Sequence, residues 1–134
     1  MAKILVVDDE VRIATLCQSI LERFGHEVRV ATTPQMFLDM IPKEKFDVLV
    51  TDLKMPDING FQCCEAALKL NPKMGVIIMT GLLTIDSKEE EKAKSFAHRL
   101  IRKPFSIKDL QEAVQSFMEK RSCHPRLSLQ KLCY

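Results

Sequence analysis

Short apolar runs of strand length alternate along this chain with segments of helical periodicity, and that alternation limits the available folds more than any other feature. Lys3 to Val7, Glu27 to Ala31, Val48 to Val50, Gly75 to Thr80 and Arg99 to Arg102 read as strands, rich in β-branched and aliphatic residues. Helical patterns lie between them, joined by short connections. Strands that each return through a helix must lie parallel, with helices on both faces. The expected fold class is therefore α/β: a doubly wound five-stranded parallel sheet with five helices, in three α/β/α layers.

The first helix carries Val11, Ala14, Leu16, Cys17, Ile20, Leu21 and Phe24 near helical spacing, and Gly25 closes it. Thr32 or Thr33 caps the second, with Pro34 at its first position and Met36, Phe37, Met40 and Ile41 facing inward, before Pro42 ends it. Phe61 to Leu70 forms the third and Thr84 to His98 the fourth. Ser106 caps the last, with Ile107, Leu110, Val114, Phe117 and Met118 along one face.

Composition narrows the function classes. At 134 residues the chain is expected to form one domain. A net charge of +2 argues neither for a nucleic-acid surface nor for a membrane patch. No apolar run is long enough to cross a bilayer, and Met1-Ala2-Lys3-Ile4 enters a strand directly, so no signal peptide is expected. The five cysteines lack metal-type spacing and suggest reduced thiols in a cytoplasmic protein.

The polar residues at the strand ends carry the chemistry. The first strand ends at Asp8 and Asp9, the third runs to Asp52, the fourth ends at Thr80, and Lys103-Pro104 follows the fifth. Beyond Asp52, Pro56 and Asp57-Ile58-Asn59-Gly60 turn the chain outward. In a parallel sheet all these carboxyl ends share one edge, where ligand sites form. Three converging carboxylates repel, and a hard divalent cation relieves them; few carboxylates plus a phosphate oxygen suit Mg2+. Asp52 is then a nucleophile forming an acyl phosphate, with Thr80 and Lys103 on the phosphoryl oxygens.

Over roughly residues 3 to 119 these residues, in this order, resemble the receiver (REC) domain of two-component response regulators, a flavodoxin-like (CheY-like) unit. The resemblance makes Asp8 and Asp9 the acidic pair, with Asp9 a direct metal ligand. It makes Asp52 the phosphoacceptor and the Lys54 backbone carbonyl a further ligand to Mg2+, with Mn2+ as substitute. Thr80 and Gly81 match the hydroxyl residue and the small residue after it. Lys103 matches the lysine that pairs with the phosphoryl group, in a family where the bond to the following proline is commonly cis.

The resemblance implies a phosphorylation switch that takes its phosphoryl group from a sensor histidine kinase or a histidine phosphotransfer protein. Such a protein catalyses only its own phosphorylation and dephosphorylation. Ile13, Ala14, Phe105 and Ser106 are the expected donor-docking surface. Residues 1–119 are expected to form the receiver and 120–134 a basic extension without a second domain, in which Pro125 breaks the helix. That reading is of a stand-alone receiver in the cytoplasm, with no direct nucleic-acid or membrane contact, an unknown downstream protein partner and a homodimer formed on phosphorylation. The alternatives are a receiver portion of a larger DNA-binding regulator and a phosphorylation-independent scaffold.

Some positions depart from the family pattern. Leu100 stands where an aromatic is usual, and Ser95-Phe96-Ala97-His98 replaces a glycine-alanine turn. Lys54 and Leu82 flank the expected path of attacking water, so Leu82 is expected to exclude water and Lys54 to compete for a phosphoryl oxygen. A dehalogenase-type phosphatase would need an acid at position 54, and a nucleotide or flavin carrier a phosphate-cradling loop after the first strand. Lys88-Glu89-Glu90-Glu91-Lys92 reads as a solvated helix face, Cys63-Cys64 as core, and His26 and His98 as surface histidines.

Overall fold

The computed structural model describes residues 2–56, 59–81 and 86–130, with residues 120–130 as backbone only. Five strands, β1 (Lys3–Val7), β2 (Glu27–Ala31), β3 (Val48–Asp52), β4 (Gly75–Gly81) and β5 (Arg99–Lys103), form one parallel sheet in the order β2-β1-β3-β4-β5. The helices α1 (Val11–Arg23), α2 (Pro34–Met40), α3 (Gly60–Leu70), α4 (Ser87–Phe96) and α5 (Ile107–Gln130) connect and cover it. This is the doubly wound, flavodoxin-like architecture expected from the sequence.

Strand periodicity divides the core between the two faces. Ile4, Val6, Val48, Val50, Ile77 and Met79 pack with Ala14, Cys17, Leu21, Leu110 and Val114 of α1 and α5. Leu5, Val7, Leu49, Val76 and Ile78 face Phe37, Cys63, Cys64, Ala67 and Ala93 of α2, α3 and α4. The central strand β3 is buried at every residue, whereas the flanking strands β2 and β5 expose Glu27, Arg29, Arg99 and Arg102. Burying each large aliphatic side chain contributes about 1.5–3 kcal/mol, so the sheet centre supplies a large share of the hydrophobic stabilisation.

The caps follow the sequence closely. The Thr33 hydroxyl accepts from Met36 N, Gly25 has φ of 90°, and Ser106 and Asp109 cap the start of α5 reciprocally. Two further capping boxes, Asn59 with Gln62 and Asp86 with Glu89, begin α3 and α4. Gly60, the first residue of α3, lies against the end of β3. A Cβ there would stand 2.5 Å from the Asp52 carbonyl oxygen and 2.9 Å from Leu53 Cα, and Gly60 N donates to Leu53 O.

Several expectations need correction. Val11, Leu16, Phe24, Met36 and Ile107 are exposed, because α1 rests on the sheet through the narrow stripe Ala14, Cys17, Ile20 and Leu21, and α2 buries only Phe37. Ala14 is fully buried in that stripe and cannot belong to a docking surface. The fourth helix starts at Ser87, not Thr84, which lies outside the described residues, and it stops before His98, whose N–H donates to Val76 O. Helix α5 continues through Pro125 to Gln130. A proline removes a single intrahelical donor and can bend a helix without ending it. His26 is not a free surface histidine: its Nδ1 accepts the Ala2 N–H at 3.0 Å.

The Gly60→Ala variant is expected to lose about 1–3 kcal/mol of stability, the usual cost of overpacking, because its clash is with backbone that cannot swing away. Urea denaturation followed by circular dichroism measures it, and a loss no larger than that of an exposed-helix substitution contradicts the tight contact.

Candidate functional site

Strand order reverses between β1 and β3, and ligands bind beyond the carboxyl ends of strands at such a point. In this sheet Val7 of β1 pairs with Thr51 of β3, so the residues that follow them, Asp8 and Asp52, emerge side by side. Carboxylate oxygens of Asp8, Asp9 and Asp52 all lie within 4.8 Å of one another. Asp8 is fully buried, Asp52 nearly so, and Asp9 is exposed. Asp8 also ties down the turn into α1, accepting Glu10 N at Oδ1 (2.9 Å), while Glu10 caps that helix with no side-chain bond.

Lys103, the last residue of β5, reaches across the edge of β4 to this cluster. Its Nζ is 3.1 Å from Asp8 Oδ2 and 3.4 Å from Asp52 Oδ1. Asp52 Oδ1 accepts the Leu53 N–H as well. The Lys103-Pro104 bond is cis, in keeping with the family pattern. Thr80, next to last in β4, lies between these strands, buried, its hydroxyl donating to Gly81 O at 3.3 Å.

Electrostatics follow from burial and charge. Desolvation pushes the Asp52 carboxyl up to about 6, Lys103 works against that, and Asp8 adds to it. Asp8 is raised chiefly by burial, with the Glu10 amide and Lys103 opposing. Burial works against the Lys103 charge, but Asp52 and Asp8 outweigh it and raise its pKa. Three carboxylates against one ammonium leave a net negative cluster, two of whose members are buried.

Those residues fit a divalent cation. Ligand oxygens on opposite sides of Mg2+ stand about 4 Å apart, which the spacing of the three carboxylates accommodates. Lys54, two residues past Asp52, directs its side chain away to Glu89 Oε2 at 2.9 Å. Leu82 lies outside the described residues, and Leu100 is half-buried in the core beneath α3 and α4. Sequence reasoning thus placed Asp8, Asp9, Asp52, Thr80 and Lys103 on one edge and missed Glu89. The pattern Asp86-x-x-Glu89 before a helix was the available signal.

The response regulator receiver domain family matches residues 4–115. The chain belongs to that family. Among its relatives, sporulation initiation phosphotransferase F of Bacillus subtilis is 29% identical over 120 residues, 90% of this chain and 96% of that protein. The DNA-binding transcriptional regulator NtrC of Azospirillum brasilense is 32% identical over 114 residues, 85% of this chain but only 24% of the regulator. A solved receiver domain protein from Clostridium thermocellum superposes with a TM-score of 0.81 at 33% identity, covering 91% of this chain and 98% of that one. The receiver thus spans nearly all of its short relatives and about a quarter of the longer regulators. No helix among the described residues is long and apolar enough to cross a membrane.

The raised Asp52 pKa has a sign that can be tested. Between 3.8 and about 6 the folded state holds a proton that the unfolded chain releases, so stability falls as pH rises through that window. With chelator present, Asp52→Asn is expected to be about 1–3 kcal/mol more stable than the native chain at pH 7. Urea titrations from about pH 4 to 7 should show the gap closing on acidification; a gap that widens instead contradicts the burial of this carboxylate.

Proposed function

We propose that this receiver is a phosphorylation switch that accepts a phosphoryl group on Asp52 from a histidine kinase or a histidine phosphotransfer protein. The observation that supports the reading is the convergence of Asp8, Asp9 and Asp52 with the Lys103 ammonium bridging Asp8 and Asp52. In a donor complex, Asp52 attacks phosphorus as the phosphorus–nitrogen bond to the donor imidazole breaks. The donor imidazole leaves with the electron pair of that bond, as neutral imidazole if its other ring nitrogen already carries a proton and otherwise by taking one from water. Asp52 Oδ1 is engaged by Leu53 N–H and Lys103, so Oδ2 is the attacking oxygen.

Lys103 neutralises phosphoryl charge as it transfers, a role suited to a partly buried, positively held ammonium. Thr80 supplies a hydroxyl beside it once turned from Gly81 O. Mg2+, or Mn2+ in its place, would be held by the Asp8, Asp9 and Asp52 carboxylates and the Lys54 backbone carbonyl, and supplies positive charge for the phosphoryl oxygens. The receiver catalyses only its own phosphorylation and dephosphorylation, in the cytoplasm, without contacting nucleic acid or membrane itself. The transfer step is the same for a receiver of about the length of the short Bacillus relative and for one that is part of a longer regulator. Ile13, Phe105 and Ser106 remain a donor-docking surface without Ala14, and pairing of two receivers on phosphorylation belongs to the same reading.

Incubation with acetyl phosphate and Mg2+ should add one phosphoryl group to the intact mass of the native chain and none to Asp52→Asn. Lys103→Met should slow the reaction by about 10²-fold, the usual cost of losing one charge-stabilising donor. No mass gain in the native chain would leave the phosphorylation-independent scaffold as the better account.

A further inference from the structure

The ion pair between Lys54 Nζ and Glu89 Oε2 joins the segment that leaves β3 to the helix that follows β4. Lys54 lies two residues past Asp52 at the end of β3, and Glu89 lies in the first turn of α4, the helix that follows β4 and Thr80. β3 and β4 are parallel neighbours, so their carboxyl ends lie on the same edge. Glu89 also completes the cap of its own helix, since Oε1 accepts Asp86 N at 3.3 Å while Asp86 Oδ1 accepts Glu89 N at 2.8 Å. The capping box therefore fixes the carboxylate that holds the lysine.

Lys54 and Glu89 are 48% and 33% exposed, and exposed pairs of this kind contribute less than about 1 kcal/mol. Little opposes a change of partner when a stronger anion arrives nearby. A phosphoryl group, with a charge of about −1.5 to −2, is such an anion. We propose that Glu89 is a positioning residue for the phosphoacceptor site. It holds the Lys54 ammonium in reserve at the mouth, and modification of Asp52 draws that ammonium from Glu89 onto a phosphoryl oxygen. The inference rests on Asp52 being the phosphoacceptor. By reciprocity, the charge on Glu89 weakens whatever phosphoryl group the site holds, and does so only through Lys54.

The test is a double-mutant cycle on binding of beryllofluoride, a phosphoryl mimic, in the presence of Mg2+. Glu89→Gln keeps an oxygen acceptor for the cap while removing the charge. It should tighten beryllofluoride binding by up to about fivefold, the factor that corresponds to 1 kcal/mol. Lys54→Met should weaken binding, Lys54→Arg should restore it, and Glu89→Gln should have no effect in the Lys54→Met background. Equal affinities for native and Glu89→Gln chains, or a Glu89→Gln effect that survives Lys54→Met, would overturn the inference while leaving Asp52 as acceptor. If the native chain neither binds beryllofluoride nor gains mass from acetyl phosphate, the acceptor reading itself fails and this one with it.

Discussion

Mutual repulsion among Asp8, Asp9 and Asp52 is the constraint around which the structure is arranged. Two of these carboxylates are buried at the end of a sheet whose central strands are wholly or almost wholly buried, and among the described residues Lys103 alone bridges that buried pair. Such an arrangement costs folding energy when empty of cations. Positive charge arriving at that edge therefore meets a site already biased to receive it.

The fold holds the acids against their repulsion from two directions. Register between β1 and β3 fixes the spacing of Asp8 and Asp52, because ladder hydrogen bonds leave no freedom to slide. From the other side, Gly60 lets the start of α3 sit on the Asp52 carbonyl with no room for a side chain, while Leu53 donates to both the Asp52 carboxylate and Met79 O. Asp52 is thus fixed by its own strand, its successor and the following helix. Lys103 comes from an outer strand, across β4, and binds to Asp8 as well as Asp52, which closes the ring.

Much of this was legible in the residues. Apolar runs marked the strands, and a parallel sheet then forced the strand-end acids, Thr80 and Lys103 to one edge without any knowledge of distances. What periodicity could not show was the width of the buried stripe. Leu16 and Val11 satisfy a helical pattern as well as Cys17 does, and only the angle at which α1 lies on the sheet leaves them in solvent while Ala14 goes under. Long side chains were harder still. Lys54 looked like a group aimed at the acceptor, and its direction depended on Glu89, a residue whose charged neighbours made it resemble a solvated face. The Pro125 expectation failed for a different reason: it weighed a local cost that a long helix can absorb.

The two outer strands carry a further implication. β2 presents Glu27 and Arg29, and β5 presents Arg99 and Arg102, so each open rim of the sheet bears formal charges where a foreign strand would have to lie down. Main-chain addition there would strand those ions between ribbons. Association of this molecule with another, or with itself, is thereby steered onto helical surfaces and loops, and the hydrogen-bonding margins stay closed to aggregation.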